Sequence, residues 1–138
     1  QPLVHLVRVL QKPLEELLGP HALLVELASI SVAPGAEKQQ WHPDSILTPG
    51  ATQLITVFVP LQDTDAGMGP LEVCPGTHTC TVKQPCVAKK KGLQVTAAAG
   101  SAVLMQSTTL HRGQAHTAPG SPDRVVFYFS FAAAPSGP

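Results

Sequence analysis

The chain has 138 residues, 43% of them hydrophobic, and its nine lysines and arginines balance its nine aspartates and glutamates. This length allows one domain with a single core, and this composition excludes an intrinsically disordered chain. The charge balance also argues against a nucleic-acid-binding protein, because a phosphate backbone requires a basic surface.

The first predicted element is a helix. Leucines and valines recur at three- and four-residue intervals between Leu3 and Leu18, a pattern typical of an amphipathic helix. We expect Pro13 to interrupt or restart this helix and the Gly19-Pro20 pair to end it.

Short strands are predicted over the rest of the chain, because fourteen prolines and eleven glycines divide it into short pieces. Residues 53–61 are largely apolar and β-branched, as expected of a strand covered on both faces. The other predicted strands span residues 22–32, 71–73, 93–98, 101–106 and 124–131. One helix followed by seven or eight short strands predicts a mainly β sandwich or barrel.

The last predicted strand has two different faces. Phe127, Phe129 and Phe131 lie on one face, and we expect this aromatic stripe to pack against the N-terminal helix. The opposite face, which we take to be the inner one, carries Arg124, Val126, Tyr128 and Ser130.

Three cysteines, Cys74, Cys80 and Cys86, lie in one short region. Their odd number argues against a fully paired disulfide scaffold. Their spacing invites a zinc site with His78, but metal-binding cysteines usually form close C-x-x-C pairs. A zinc site and one loop disulfide remain open, and free thiols are favoured over both.

The segment "WHPD", residues 41–44, brings a histidine close to a carboxylate. In an extended strand, residues i and i+2 face the same side, so His42 and Asp44 would project together. Such a pair is either half of a metal site or a hydrogen-bonded surface pair. A third ligand is needed to decide between them.

The chain has six histidines, and His111 is the candidate for this third ligand. It follows an apolar strand and precedes Gly113, at a strand-like position that can direct its side chain into a barrel. We expect the others to be ordinary helix-surface or loop residues: His5, His21, His78 and His116.

Three segments together resemble a known family. They are "WHPD" at 41–44, "VPLQDTDAGMGPLEVCPGTH" at 59–78, and residues 100–131, which contain "HRG" and a following arginine. In this order they resemble the phytanoyl-CoA dioxygenase-like branch of the Fe(II)/2-oxoglutarate-dependent oxygenases. The resemblance covers about residues 20–132 and implies a double-stranded β-helix, a cupin-like jelly-roll barrel with its helix packed on one sheet.

The resemblance also implies roles for four residues. His42, Asp44 and His111 would be the iron ligands, a facial triad that leaves open positions on Fe(II). Arg124 would bind the distal carboxylate of 2-oxoglutarate, since a planar guanidinium suits a carboxylate. Together these four residues would form the catalytic set.

Neighbouring residues refine this expected site. Arg112 is adjacent to His111 and should point to the opposite face of its strand, so Arg124 is favoured as the 2-oxoglutarate ligand. Thr56 and Phe58 share one face of the strand after the H-x-D pair, and we expect them to line the pocket beside the metal and co-substrate.

The implied activity is hydroxylation of an unactivated carbon of a small-molecule or acyl substrate. Fe(II), 2-oxoglutarate and O₂ would take part, with ascorbate as a candidate reductant and succinate and CO₂ as products. The presence of Asp44 favours hydroxylation over halogenation. The alternatives are a catalytically silent barrel that serves as a binding or structural module, and an unrelated β-sandwich with scattered histidines.

We expect neither a signal peptide nor a membrane span, since the sequence shows no apolar run of the roughly 20 residues that a span needs. An intracellular protein is therefore favoured. The chain begins at Gln1 rather than at a methionine, as expected of an excised or incomplete domain. We expect residues 1–138 to form one oxygenase domain with a short N-terminal helical part.

Overall fold

A computed structural model describes residues 2–48, 50–81 and 92–134. The elements are, in chain order, α1 (Pro2–Leu18), β1 (Leu23–Val32), β2 (Leu54–Pro60), β3 (Leu71–Val73), a 3₁₀ helix (Thr77–Thr79), β4 (Leu93–Val95), β5 (Val103–Gln106), β6 (His111–Gly113) and β7 (Arg124–Ala132). The mainly β class and the single leading helix are as the sequence predicts.

The strands form two antiparallel sheets. One sheet has four strands in the order β1-β7-β2-β5, and the other has three in the order β4-β3-β6. A cavity of about 630 Å³ is lined by residues of both sheets. This arrangement is the double-stranded β-helix expected from the resemblance, and the cavity is its interior.

Helix α1 packs on the outer face of the four-stranded sheet. Its buried residues Leu10, Leu14 and Leu18 recur every four positions, so they form one apolar face. They share a core with Phe129 and Phe131, and the rings of these two phenylalanines meet edge to face, 5.9 Å apart. The prediction that the aromatic stripe packs against the helix is confirmed.

The helix continues through Pro13, so the expected interruption there is wrong. Proline removes the amide that would bond to the carbonyl of residue 9. Val9 is 60% exposed, so water can satisfy that carbonyl. The helix does end as predicted: Gly19 has a φ of 85° and its amide donates to the carbonyl of Glu15 at 2.9 Å.

Strand β2 lies inside the four-stranded sheet. Five of its seven residues are buried, and they occupy both faces of the strand, as its apolar sequence predicts. Strand β1 forms one edge of this sheet. Most of its residues are exposed, including the apolar residues Leu23, Leu24, Val25, Leu27 and Ile30.

The cysteines do not behave alike. Cys74 is a buried free thiol, as favoured from the sequence, whereas Cys80 is disulfide-bonded, so the expectation of a free thiol is wrong for that residue. Cys86 lies outside the described residues. No helix in the described part of the chain is long and apolar enough to cross a membrane.

Candidate metal centre

Two histidines face each other across a backbone bridge. The amide of His42 donates to the carbonyl of His111 at 3.0 Å, and the amide of His111 donates to the carbonyl of His42 at 2.9 Å. Residues directly opposed in an antiparallel pair project from the same face. The two imidazole rings are accordingly only 4.5 Å apart, between their centroids.

Asp44 joins them from a bend rather than from a regular strand. Its amide donates to the carbonyl of Ser107 at 2.8 Å, and the hydroxyls of Ser45 and Ser107 lie 2.6 Å apart. This anchor places Asp44 Oδ1 3.4 Å from His111 Nε2. The same-strand geometry expected for His42 and Asp44 is therefore wrong, although the two side chains do converge.

The three side chains form one candidate ligand set. One donor atom from each of His42, Asp44 and His111 lies within 4.8 Å of the others, and no other such group of three occurs in residues 2–48, 50–81 and 92–134. Adjacent ligands on an octahedral ion with bonds of about 2.1 Å are separated by roughly 3 Å. The 3.4 Å between His111 and Asp44 is close to that value.

Backbone carbonyls fix the orientation of both imidazoles. The Nδ1 of His42 lies 2.8 Å from the carbonyl oxygen of Gln40, and the Nδ1 of His111 lies 3.0 Å from that of Thr109. A carbonyl can only accept, so each Nδ1 is the donor and each Nε2 is left to bind a metal.

The pKa of His111 is raised in the metal-free protein. Burial lowers this pKa, but the hydrogen bonds with Asp44 and with the Thr109 carbonyl outweigh the burial. A metal ion at Nε2 would displace the proton that this interaction favours.

Arg124 is a buried cation on the same cavity. It is 8% exposed, burial lowers its pKa, and its Nε donates to the carbonyl of Met68 at 3.1 Å. It forms no ion pair with any residue that the structure describes. A Cβ added to Gly113 would lie 3.9 Å from its Nη2. Gly113 is two residues from His111 on the same strand face, a distance of about 7 Å.

Arg112 points the other way and is already paired. Its Nε lies 2.6 Å from Glu72 Oε2, and its guanidinium lies 4.2 Å from the ring centroid of Trp41. The amide of Gly92 donates to Glu72 Oε1 at 2.8 Å, and the side chain of Gln114 donates to Oε2. Glu72 is only 2% exposed, and neither Glu72 nor Arg112 is among the residues that line the cavity.

The pKa of Glu72 is lowered overall. Burial alone would raise it, but the hydrogen bonds from Arg112 and from the Gly92 amide, together with the positive charge of Arg112, more than offset the burial. Glu72 is therefore held as a carboxylate.

Thr56 and Phe58 both line the cavity, as do the three candidate metal ligands and Arg124. The ring centroid of Phe58 lies 6.5 Å from that of His111. The hydroxyl of Thr56 lies 3.2 Å from that of Ser130. Their assignment as co-substrate contacts stays a prediction.

The other histidines stay outside this centre. His5, His21 and His78 are exposed. His116, expected to be an ordinary loop residue, is 1% exposed and bridges to Met68. Its Nδ1 has no hydrogen-bond partner among the described residues.

Sequence reasoning missed several polar residues of the cavity wall, among them Gln39 and Glu26. The side-chain oxygen of Gln39 accepts a hydrogen bond from the Gly113 amide at 2.7 Å. Its position just before the "WHPD" segment could have indicated that Gln39 lies near the metal ligands. Glu26 lies in an apolar run whose inward face the sequence does not reveal.

The family model for "Phytanoyl-CoA dioxygenase (PhyH)" matches residues 3–124. No curated protein matches the chain by sequence. Solved structures share its fold, among them EctD from S. alaskensis with bound Fe, at a TM-score of 0.75 and 17% identity over 96% of this chain. AviO1 from Streptomyces viridochromogenes Tue57 has a TM-score of 0.73 and 18% identity over 94% of this chain.

A third similar structure is the non-heme alpha ketoglutarate dependent carbocyclase SnoK from nogalamycin biosynthesis, with a TM-score of 0.63 and 15% identity over 80% of this chain. The chain spans only 53%, 59% and 49% of the lengths of EctD, AviO1 and SnoK, respectively. It therefore corresponds to about half of each of these proteins.

Proposed function

The chain belongs to the phytanoyl-CoA dioxygenase family, and on that premise we propose that it is a non-haem Fe(II)- and 2-oxoglutarate-dependent oxygenase. We further propose that it hydroxylates an unactivated carbon of its substrate and releases succinate and CO₂. The proposal rests mainly on one observation: a His-Asp-His ligand set lines one cavity together with a buried arginine that has no ion-pair partner among the described residues.

The donor set fits Fe(II). Two imidazoles with free Nε2 atoms and one carboxylate are the ligands of a 2-His-1-carboxylate facial triad. His42, His111 and Asp44 would occupy one face of the ion and leave the opposite face for co-substrates. When bound, the iron would supply the activation of O₂ and the oxidative chemistry.

Arg124 fits the distal carboxylate of 2-oxoglutarate. Burying a cation without an anionic partner is costly, and a carboxylate bound in a bidentate manner would satisfy its donors. Gly113, which lies close to Arg124, is about 7 Å from His111 along β6. This distance suits a five-carbon diacid. Phe58 would border this co-substrate on the β2 side, whereas Thr56, which is opposite Ser130, would lie farther from Arg124 along the cavity.

The rest of the cavity orients the reactants and excludes water. The Nδ1 bonds of His42 and His111 hold the ligand rings in place, and the Ser107 anchor positions Asp44. The ring of Phe58 provides an apolar wall beside the metal ligands. We propose that residues 1–138 act as one oxygenase domain in this way.

Anaerobic titration with Fe(II) and then with 2-oxoglutarate tests the proposal, followed by succinate measurement in air with a metabolite extract. We expect one iron per chain and formation of succinate that depends on both iron and extract. A protein that binds neither Fe(II) nor 2-oxoglutarate would instead be a silent barrel.

A further inference from the structure

A carboxylate enters the cavity on the side away from Arg124. Glu26 lines the wall, and its two oxygens accept hydrogen bonds from the Tyr128 hydroxyl at 3.4 Å and the Ser130 hydroxyl at 2.8 Å. Both donors are neutral, and no cation in the described parts of the chain pairs with Glu26. Glu26 is exposed to solvent, and it therefore adds a negative charge without a paired cation to the wall of the cavity.

A β-bulge in β1 directs Glu26 inward. Leu24 is opposite Phe131 on β7, whereas Glu26 is opposite Ser130, so Val25 is the extra residue. Phe131 belongs to the core beneath α1, and Ser130 lies on the opposite face of β7. In a regular strand Leu24 and Glu26 would share a face. The bulge separates them, and bulges beside active sites often re-aim a side chain in this way.

The position of Glu26 points to the primary substrate rather than to 2-oxoglutarate. Its partner on β7 lies six residues from Arg124, a separation of about 20 Å along the strand. The ring of Phe58 lies between Tyr128 and His111: its centroid is 6.0 Å from that of Tyr128 and 6.5 Å from that of His111. A five-carbon co-substrate bound to Arg124 and the metal would not extend to Glu26.

Building on the oxygenase function proposed above, we propose that Glu26 recognises a protonated amine on the primary substrate. A carboxylate that already accepts two hydrogen bonds can still accept charge-assisted bonds from an ammonium group. A phosphate or carboxylate placed at this end would be repelled. The cavity volume of about 630 Å³ is in the usual range for a small-molecule ligand. The substrate class is therefore a small amine.

Calorimetric titration with two probes of equal length, hexylammonium and 1-hexanol, tests this inference. The titrations use the full chain, anaerobic, with Fe(II) and 2-oxoglutarate present. We expect the wild-type protein to bind hexylammonium about five- to tenfold more tightly than 1-hexanol, a modest factor because Glu26 is exposed to solvent.

Glu26→Gln should abolish this preference, and Glu26→Lys should weaken hexylammonium binding further. Glu16→Gln is the matched control, since Glu16 is an exposed residue of α1 and should leave the preference unchanged. A wild-type protein without preference, or a Glu26→Gln variant that keeps it, would overturn the inference.

Iron content and 2-oxoglutarate affinity, measured on the same samples, test the proposed function separately. If the protein binds Fe(II) and 2-oxoglutarate normally but shows no preference for the amine, only the role of Glu26 is overturned. An amine preference that disappears in Glu26→Gln, in a protein that binds neither iron nor 2-oxoglutarate, overturns only the oxygenase function.

Discussion

Replacing Arg124 with methionine should weaken 2-oxoglutarate binding and at the same time leave the ligand-free protein as stable as the wild type or more stable. Arg124 is 8% exposed, and its Nε donates a hydrogen bond to the carbonyl of Met68. Among the described residues it has no anionic partner. The folded protein therefore carries the desolvation cost of this cation, which a bound carboxylate would offset.

The magnitudes follow from these contacts. Loss of one partner of a buried ion pair costs about 3–5 kcal/mol, so 2-oxoglutarate affinity should fall by roughly two to four orders of magnitude. Replacement of buried charges by apolar groups gains about 1–4 kcal/mol, and the lost bond to Met68 subtracts about 1 kcal/mol. The free energy of unfolding should then rise by about 0–3 kcal/mol, with Tm rising about 3–4 °C per kcal/mol.

Arg112→Met is the matched control. Arg112 pairs with Glu72 and stacks on Trp41, so its loss leaves a buried carboxylate without its cation. This variant should lose about 3–5 kcal/mol of stability while its folded fraction binds 2-oxoglutarate nearly normally. The assays are anaerobic 2-oxoglutarate titration with iron present and urea unfolding without ligands. The reverse ranking of the two variants in either assay would refute this reasoning.

Three further predictions concern the metal ligands and the buried carboxylate. Asp44→Ala should lose most of its iron, because two imidazoles alone hold Fe(II) weakly; full iron content by metal analysis would contradict this. His111→Ala should lose iron as well, whereas His78→Ala should keep it, and iron loss only in the His78 variant would show that the wrong histidine was assigned. Because the pKa of Glu72 is lowered, its stabilising contribution should be complete above the unfolded-state pKa and lost as the pH falls through the folded-state value. Urea unfolding from pH 7 to pH 3 should show this loss in the wild type and not in Glu72→Gln, and parallel profiles would count against it.

Much of the fold could be predicted because burial leaves a periodic trace in the sequence. The alternation of Phe127, Phe129 and Phe131 revealed which face of β7 meets α1, and the apolar run of β2 revealed a strand covered on both sides. Periodicity could not predict an element that is too short to show it, nor the energetic cost of a proline that depends on its local surroundings. Three residues, His111–Gly113, cannot show alternation, and the tolerance of Pro13 depends on the solvent exposure of the turn before it.

The candidate site was accessible from the sequence for a different reason. Histidine and carboxylate side chains are typical metal ligands, but the chain has six histidines and nine acidic residues, and it was the motifs resembling a known family that implied His42, Asp44 and His111. The geometry that joins them was not accessible. The two histidines meet through a backbone bridge, and Asp44 is held by Ser107, so their convergence depends on contacts between segments more than sixty residues apart in sequence.

A shift of one residue in strand register determines whether Glu26 faces the cavity. Without the bulge at Val25, the pairing of Leu24 with Phe131 would place Glu26 on the helix side of the sheet. With the bulge, the inner face of the sheet has a cation near one end and an anion near the other. Arg124 would attract the dianionic co-substrate, and Glu26 would repel it, so the two charges together favour one orientation of the reactants in the cavity. A substrate with a positively charged end would be attracted by Glu26 and repelled by Arg124. Its apolar part would then lie against Phe58, beside the metal ligands.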